Sequence, residues 1–250
     1  MESTAHEDRR PAIEIVMLGG FGLSLAARDV RLPAGAQRLV ALLALRGRMG
    51  RSRLAGTLWP DTTEPLALGS LRTGIWRVNQ AVPDLVLTTA GQVELTTRAD
   101  IDVDTLVARS IAFLDHDTPD TIPLNVCLQD GELLPDWDDA WLTDERERLR
   151  QLRLHLLERI AEQLAANGQF GLAVDMALRA LRADRLRESA HRALVRIHLA
   201  EGNLHEARRA YQTCVELLHN ELGIPPSPAM GRLLQLQDIQ RAVDIPATVA

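Results

Sequence analysis

Arg72, Trp76 and Arg77 stand close together in SLRTGIWRVNQ, residues 70–80, with Thr73 and Gln80 around them. A guanidinium presents a rigid fork of donors that fits phosphate or a base edge, and indole offers a flat apolar face with one donor. If the run is helical, at ~100° per residue Leu71, Ile75, Val78 and Val82 lie within about 60° of one another and form a core stripe. Gly69, Thr73, Trp76, Arg77 and Gln80 then point outward, with Arg72 at the flank. Such a set can reach base edges and phosphates. Trp76 has a second reading, packing on a partner domain, and Arg77 a second one as a solvated charge. Gly74 interrupts the helical pattern.

The charge distribution sharpens this. The chain of 250 residues has a net charge of -6, yet from Arg28 to Arg77 nine arginines face only Asp29, Asp61 and Glu64. Between Ser110 and Glu147 the sign reverses, with eleven acidic residues against Arg146. A basic segment in an acidic chain suggests a local contact with a polyanion, because attraction follows the nearby field more than the total charge; a solvated Arg-rich surface is the alternative. All 28 basic residues are arginine, and this is given no functional weight.

Catalytic and metal-binding patterns are absent from the sequence. There is no G-x-S-x-G elbow, no H-E-x-x-H, no C-x-x-C and, without a single lysine, no phosphate-binding G-x-x-x-x-G-K-[ST] loop. LGGFG, residues 18–22, joins two short strands instead of opening a helix. His155, His191, His198, His205 and His219 are spread over successive helices and read as structural. Cys127 and Cys214 are far apart, lack metal-spaced partners, and read as buried. The acidic DWDDAW, residues 136–141, lacks the glycine and terminal glutamate of a calcium loop and reads as a capped turn between domains. Neither enzyme activity nor a cofactor or metal is expected. No apolar stretch reaches the ~18 residues that cross a bilayer and no signal peptide opens the chain, so a cytoplasmic, nucleoid-associated protein is expected.

The elements that would position the outward arginines follow from periodicity. Residues 1–12 and 241–250 read as tails. IEIVMLG, FGLSL and DVRLP read as a small antiparallel sheet. AQRLVALLALRG is a helix ended by Gly47; RSRLAGTLWP is a second, capped by Ser52 or a neighbour and stopped by Pro60; a third runs from about Leu66 to Val82. Trp59 reads as core beneath the second helix. LVLTT and QVELTT are strands joined by Ala90-Gly91, a hairpin signal. Sheet, three helices and hairpin make a winged helix, in which the third helix enters the DNA major groove and the hairpin lies along the adjacent backbone.

The second half is helical. From Trp141 to Asn167 runs a long amphipathic helix with Leu149, Leu152, Leu156, Ile160 and Leu164 on one stripe. Then Gly168 and Gly202, Phe170 and Leu204, Ala173 and Ala207, and Ala177 and Tyr211 correspond at an interval of 34 residues. That is the period of the tetratricopeptide repeat, whose small residues let antiparallel helices pack closely. The expected architecture is an α+β winged helix over 13–100 followed by an all-α tetratricopeptide-like domain over 101–240.

LPAGAQRLVALLALRGRMGRSRLAGTLWPD, SLRTGIWRV, LLPDWDDAWLTDERERLRQLRLHLLE and ELGIPPSPAMGRLL together resemble the SARP-type bacterial transcriptional regulators, across roughly residues 13 to 236. That family joins an OmpR/PhoB-type winged helix to a bacterial transcriptional activation domain of tetratricopeptide-like helices. The resemblance implies binding to repeated elements in double-stranded promoter DNA, as a homodimer, with recruitment of RNA polymerase. Carried over by position, Arg72, Thr73, Trp76, Arg77 and Gln80 would face DNA from the recognition helix. Arg51, Ser52 and Arg53 would sit near phosphates, and Thr88, Thr89 and Gln92 would belong to the wing tip. The competing expectation is a protein–protein adaptor whose winged helix has lost DNA binding, a reading suggested by Gly74.

Overall fold

The computed structural model describes residues 12–115 and 131–233; the expected tails, apart from Ala12, and Cys127 lie outside them. Alternation builds the first sheet: in β1 (Ile13–Val16) Ile13 and Ile15 are buried while Glu14 and Val16 are exposed. β2 (Gly22–Leu25) runs antiparallel to it, with Ile13 opposite Leu25. β3 (Arg28–Asp29) follows through a tight turn in which Ala26 and Ala27 both take positive φ.

The period then lengthens. α1 (Ala34–Arg46) follows Pro33, buries Leu39, Leu42 and Leu43, and ends at Gly47 with φ +66°. A residue at that φ is disfavoured unless it lacks Cβ, so the sequence stops the helix there. β4 (Met49–Gly50) leads directly into α2 (Arg51–Leu58), which ends ahead of Pro60. The expected Ser52 cap is not made: Gly50 occupies the N-cap position without a side-chain bond, and the Arg51 N–H instead donates to the Gly91 carbonyl at 3.1 Å. The pairing of β4 fixes the helix start two residues earlier than a Ser52 cap would need.

α3 (Glu64–Ala81) has Pro65 in its first turn, where a missing N–H costs nothing, and stops before Pro83. Leu71, Val78 and Val82 are buried and Ile75 partly so, as the helical spacing predicts. β5 (Val86–Thr89) and β6 (Gln92–Leu95) form the hairpin, joined by Ala90 and Gly91, both at positive φ as a two-residue hairpin turn requires. Their sheet has the order β4-β6-β5. β7 (Ala99–Ile101) then returns to pair in parallel with β1, completing the sheet β3-β2-β1-β7, and α4 (Asp102–Asp115) follows. Asp102 fixes that junction by accepting the Met17 and Leu18 N–H groups, each at 2.9 Å.

The chain divides elsewhere than between residues 100 and 101. One compact unit takes in described residues 12–112 and 131–149, and the other 113–115 and 150–233. Within the first, residues 131–134 form a strap: Gly19 donates to the Glu132 carbonyl, Leu134 donates to Met17, and Leu133 bridges Leu18. The turn at 136–141 therefore lies inside this unit. It is held by the Asp139 carboxylate, which accepts Arg38 Nε at 2.9 Å and the Trp141 indole N–H at 3.1 Å. The apolar Leu133, Leu134, Trp141 and Leu142 join the same core as the winged helix.

α5 (Leu142–Ala166) carries the chain into the second unit. There α6 (Phe170–Ala183), α7 (Glu188–Glu201) and α8 (Leu204–Leu222) pack as successive antiparallel hairpins. Gly168 and Gly202 take φ +74° and +83°, each two residues ahead of a helix, and Ala173 and Ala207 are both fully buried. The interval of 34 residues thus repeats as structure. An Arg187–Glu158 ion pair, joined by the Ser189 hydroxyl on the same carboxylate, ties α7 to α5.

Candidate nucleic-acid interface

The core stripe of α3 leaves its opposite face free. Arg72, Thr73, Trp76, Arg77 and Gln80 lie on that face, and Trp76 keeps 61% of its surface in solvent. A tryptophan held so far out on a rigid helix contributes little to folding. Thr73 donates its hydroxyl to the Gly69 carbonyl at 3.1 Å, so its donor is already engaged within the helix. Leu66, which helical spacing places on the same face, is 66% exposed at the first turn of the helix.

Two further groups of expected residues come together at the hairpin tip. The Arg51–Gly91 backbone bond joins the start of α2 to the turn. Arg51 is half-buried, Ser52 and Arg53 are exposed, Thr88 and Thr89 are exposed on β5, and Gln92 is half-buried at the start of β6. The hairpin is itself anchored to α3 by a residue that the helical pattern did not single out. Asn79 Nδ2 donates to the Val86 carbonyl and its Oδ1 accepts the Val86 N–H, both at 2.9 Å. One side-chain amide thus acts as an extra strand residue on the outer edge of β5. The only signal for it was a polar residue within the helical run, one position after the core residue Val78.

Electrostatics separates this unit's arginines into two kinds. Arg38 and Arg46 are paired with Asp139 and Glu145. Among the described residues, no acidic partner approaches Arg51, Arg53, Arg72 or Arg77 within ion-pair distance, whereas in the second unit Arg185, Arg187, Arg192, Arg196 and Arg209 each have one. Gly74 is buried in α3 and faces α1, where an added Cβ would lie 3.4 Å from Leu39 Cδ2. Its position belongs to the core, so it gives no support to a lost DNA surface. No group of His, Cys, Asp and Glu able to hold a metal occurs among the described residues, and no described helix is long and apolar enough to cross a membrane.

Residues 126–236 match the bacterial transcriptional activator domain. The chain is similar to the regulatory protein AfsR of Streptomyces coelicolor, 29% identical over 253 aligned residues that cover 92% of this chain and 25% of that protein. It is also similar to AfsR of Streptomyces griseus, 28% identical with 84% of this chain and 24% of that protein covered. The chain thus spans about a quarter of the length of these relatives. Among solved structures, Mycobacterium tuberculosis EmbR in complex with a low-affinity phosphopeptide superposes with a TM-score of 0.77 at 16% identity, over 92% of this chain and 66% of that one. At that identity the likeness speaks for the fold: a winged helix followed by a helical domain.

Proposed function

Because the chain carries a bacterial transcriptional activator domain behind a winged helix, the arrangement of the SARP-type regulators, we propose that it is a transcriptional activator that binds double-stranded promoter DNA. In this reading α3 enters the major groove, the β5–β6 hairpin and the start of α2 meet the flanking phosphates, and two copies sit on repeated elements. The helical repeat contacts RNA polymerase.

The observation that carries the reading is that Arg51, Arg53, Arg72 and Arg77 have no acidic partner among the described residues, on the unit that also exposes Trp76. Four like charges gathered on one unit repel one another mildly, and a polyanion turns that cost into binding energy. The test is a titration of a labelled duplex from the DNA upstream of its own gene cluster at low salt. Binding that weakens as salt rises is expected. Failure to bind any such DNA at low salt would overturn the proposal in favour of an adaptor that works through its helical repeat alone.

A further inference from the structure

The pairing of the β5–β6 hairpin decides which backbone groups on its outer edge are free. In an antiparallel ladder, residues that exchange hydrogen bonds with the opposite strand alternate with residues whose N–H and C=O point away from it. The Thr96 N–H donates to the Leu85 carbonyl at 2.9 Å, so Leu85 and Thr96 are a bonded pair. The register runs on unbroken, with Val86 opposite Leu95, Thr88 opposite Val93 and Thr89 opposite Gln92, which turns Val86 and Thr88 outward. The Asn79 amide agrees with this parity, since it takes both backbone groups of Val86 on that side. About 7 Å further along β5 the Thr88 N–H and carbonyl face the same way. Thr88 is exposed, and its backbone meets no partner on that side among the described residues.

That edge is too short for another strand. Between the Asn79 clamp and the turn at Ala90 and Gly91 it offers one open N–H and one open C=O, where strand addition needs a row of them. The hairpin also has no basic side chain: Glu94 is the only charged residue from Val86 to Leu95. A hairpin set against a phosphate backbone must then hold it with neutral donors, and main-chain N–H groups are among those that do so in DNA complexes. At ~100° per residue Asn79 returns to within about 20° of Arg72 on α3, so the clamp sets this edge on the flank that bears Arg72.

We infer that the main-chain N–H of Thr88 is a fixed phosphate donor, bonding one DNA phosphate oxygen on the Arg72 side of α3, so that the hairpin grips DNA through its backbone and not through a charged side chain. The inference rests on the DNA-binding reading above. It is tested by selecting duplexes from a random pool with the full chain, then remaking the best duplex with a single neutral methylphosphonate at each backbone position in turn. Thr88→Ala keeps the N–H, whereas Thr88→Pro removes it at an outward position of an edge strand, where proline is tolerated. At one position the neutral linkage is expected to weaken binding of the unaltered chain and of Thr88→Ala about tenfold, and to cost Thr88→Pro nothing further. Thr88→Pro is expected to bind the unmodified duplex about tenfold more weakly with an unchanged salt slope, because an N–H carries no net charge with which to release counterions. Binding of Thr88→Pro equal to that of Thr88→Ala, or the same loss in both, overturns the inference while leaving DNA binding intact. If proline displaces the hairpin, seen as a changed cost at every phosphate, an ester in place of the Leu87–Thr88 amide removes the same N–H without a ring, and undiminished binding of that chain overturns the inference. Enrichment of no duplex at all would overturn both readings.

Discussion

Asn79 holds the β5–β6 hairpin to α3 with two bonds from one amide. Asn79→Ala leaves the Val86 N–H and carbonyl without that partner, an expected loss of about 1–3 kcal/mol in denaturant unfolding. The same variant is expected to weaken DNA binding beyond what its stability explains, since the hairpin is no longer fixed against α3. Gly74 gives the opposite sign. The 3.4 Å that would separate an added Cβ from Leu39 Cδ2 is an ordinary van der Waals contact, so alanine fits and gains helix propensity. Gly74→Ala is expected to raise stability by up to about 1 kcal/mol, read as a shift in the denaturant midpoint. Cys214 is fully buried, and burial, assisted by the Glu188 carboxylate, pushes its thiol from 9.0 up to about 11. Below pH 9 the folded and unfolded chains both keep the proton. Above it only the folded chain does, so unfolding releases a proton and stability falls as pH rises from about 9 to about 11. Cys214→Ala is expected to flatten that fall when unfolding is compared at about pH 8 and pH 10.5.

At the scale of elements, the strap at 131–134 tests how the winged-helix unit is built. A Cβ on Gly131 would lie 2.7 Å from both the Gly19 nitrogen and the Leu18 carbonyl carbon, backbone atoms that cannot rotate away. Gly131→Ala is therefore expected to cost about 1–3 kcal/mol in unfolding, through displacement of the strap from β1. The three helices, the hairpin and the repeat were legible in the sequence because each has its own local signal. Gly47, Pro65 and Ala90-Gly91 mark ends and turns, and Leu71 and Val78 mark a face. The strap, β4 and β7 were not legible, because two- and three-residue strands are defined by a distant partner rather than by their own alternation. For the same reason the acidic run at 136–141 read as a turn between domains. Its tie to the fold is Arg38, 101 residues away in sequence, which no local pattern reveals. Of the interface, the outward face of α3 followed from spacing alone, whereas the Asn79 clamp needed the position of β5.

For the whole molecule, the arginines without an acidic partner among the described residues of the winged-helix unit predict an electrostatic contact there, with the helical repeat left for other partners. Within the repeat several arginines are matched by carboxylates, as in Arg187 with Glu158 and Arg196 with Glu162, which suits a self-contained scaffold. Nothing comparable neutralises Arg51, Arg53, Arg72 and Arg77 among the described residues. The most direct measurement is the slope of log K against log salt for one selected duplex, taken for the unaltered chain and for Arg72→Ala and Arg77→Ala. Each neutralised phosphate adds about -0.9 to that slope, so the unaltered chain should show several units and each variant should lose about one, with its sequence preference retained. A slope near zero, or one that neither substitution changes, would contradict the placing of α3 against DNA.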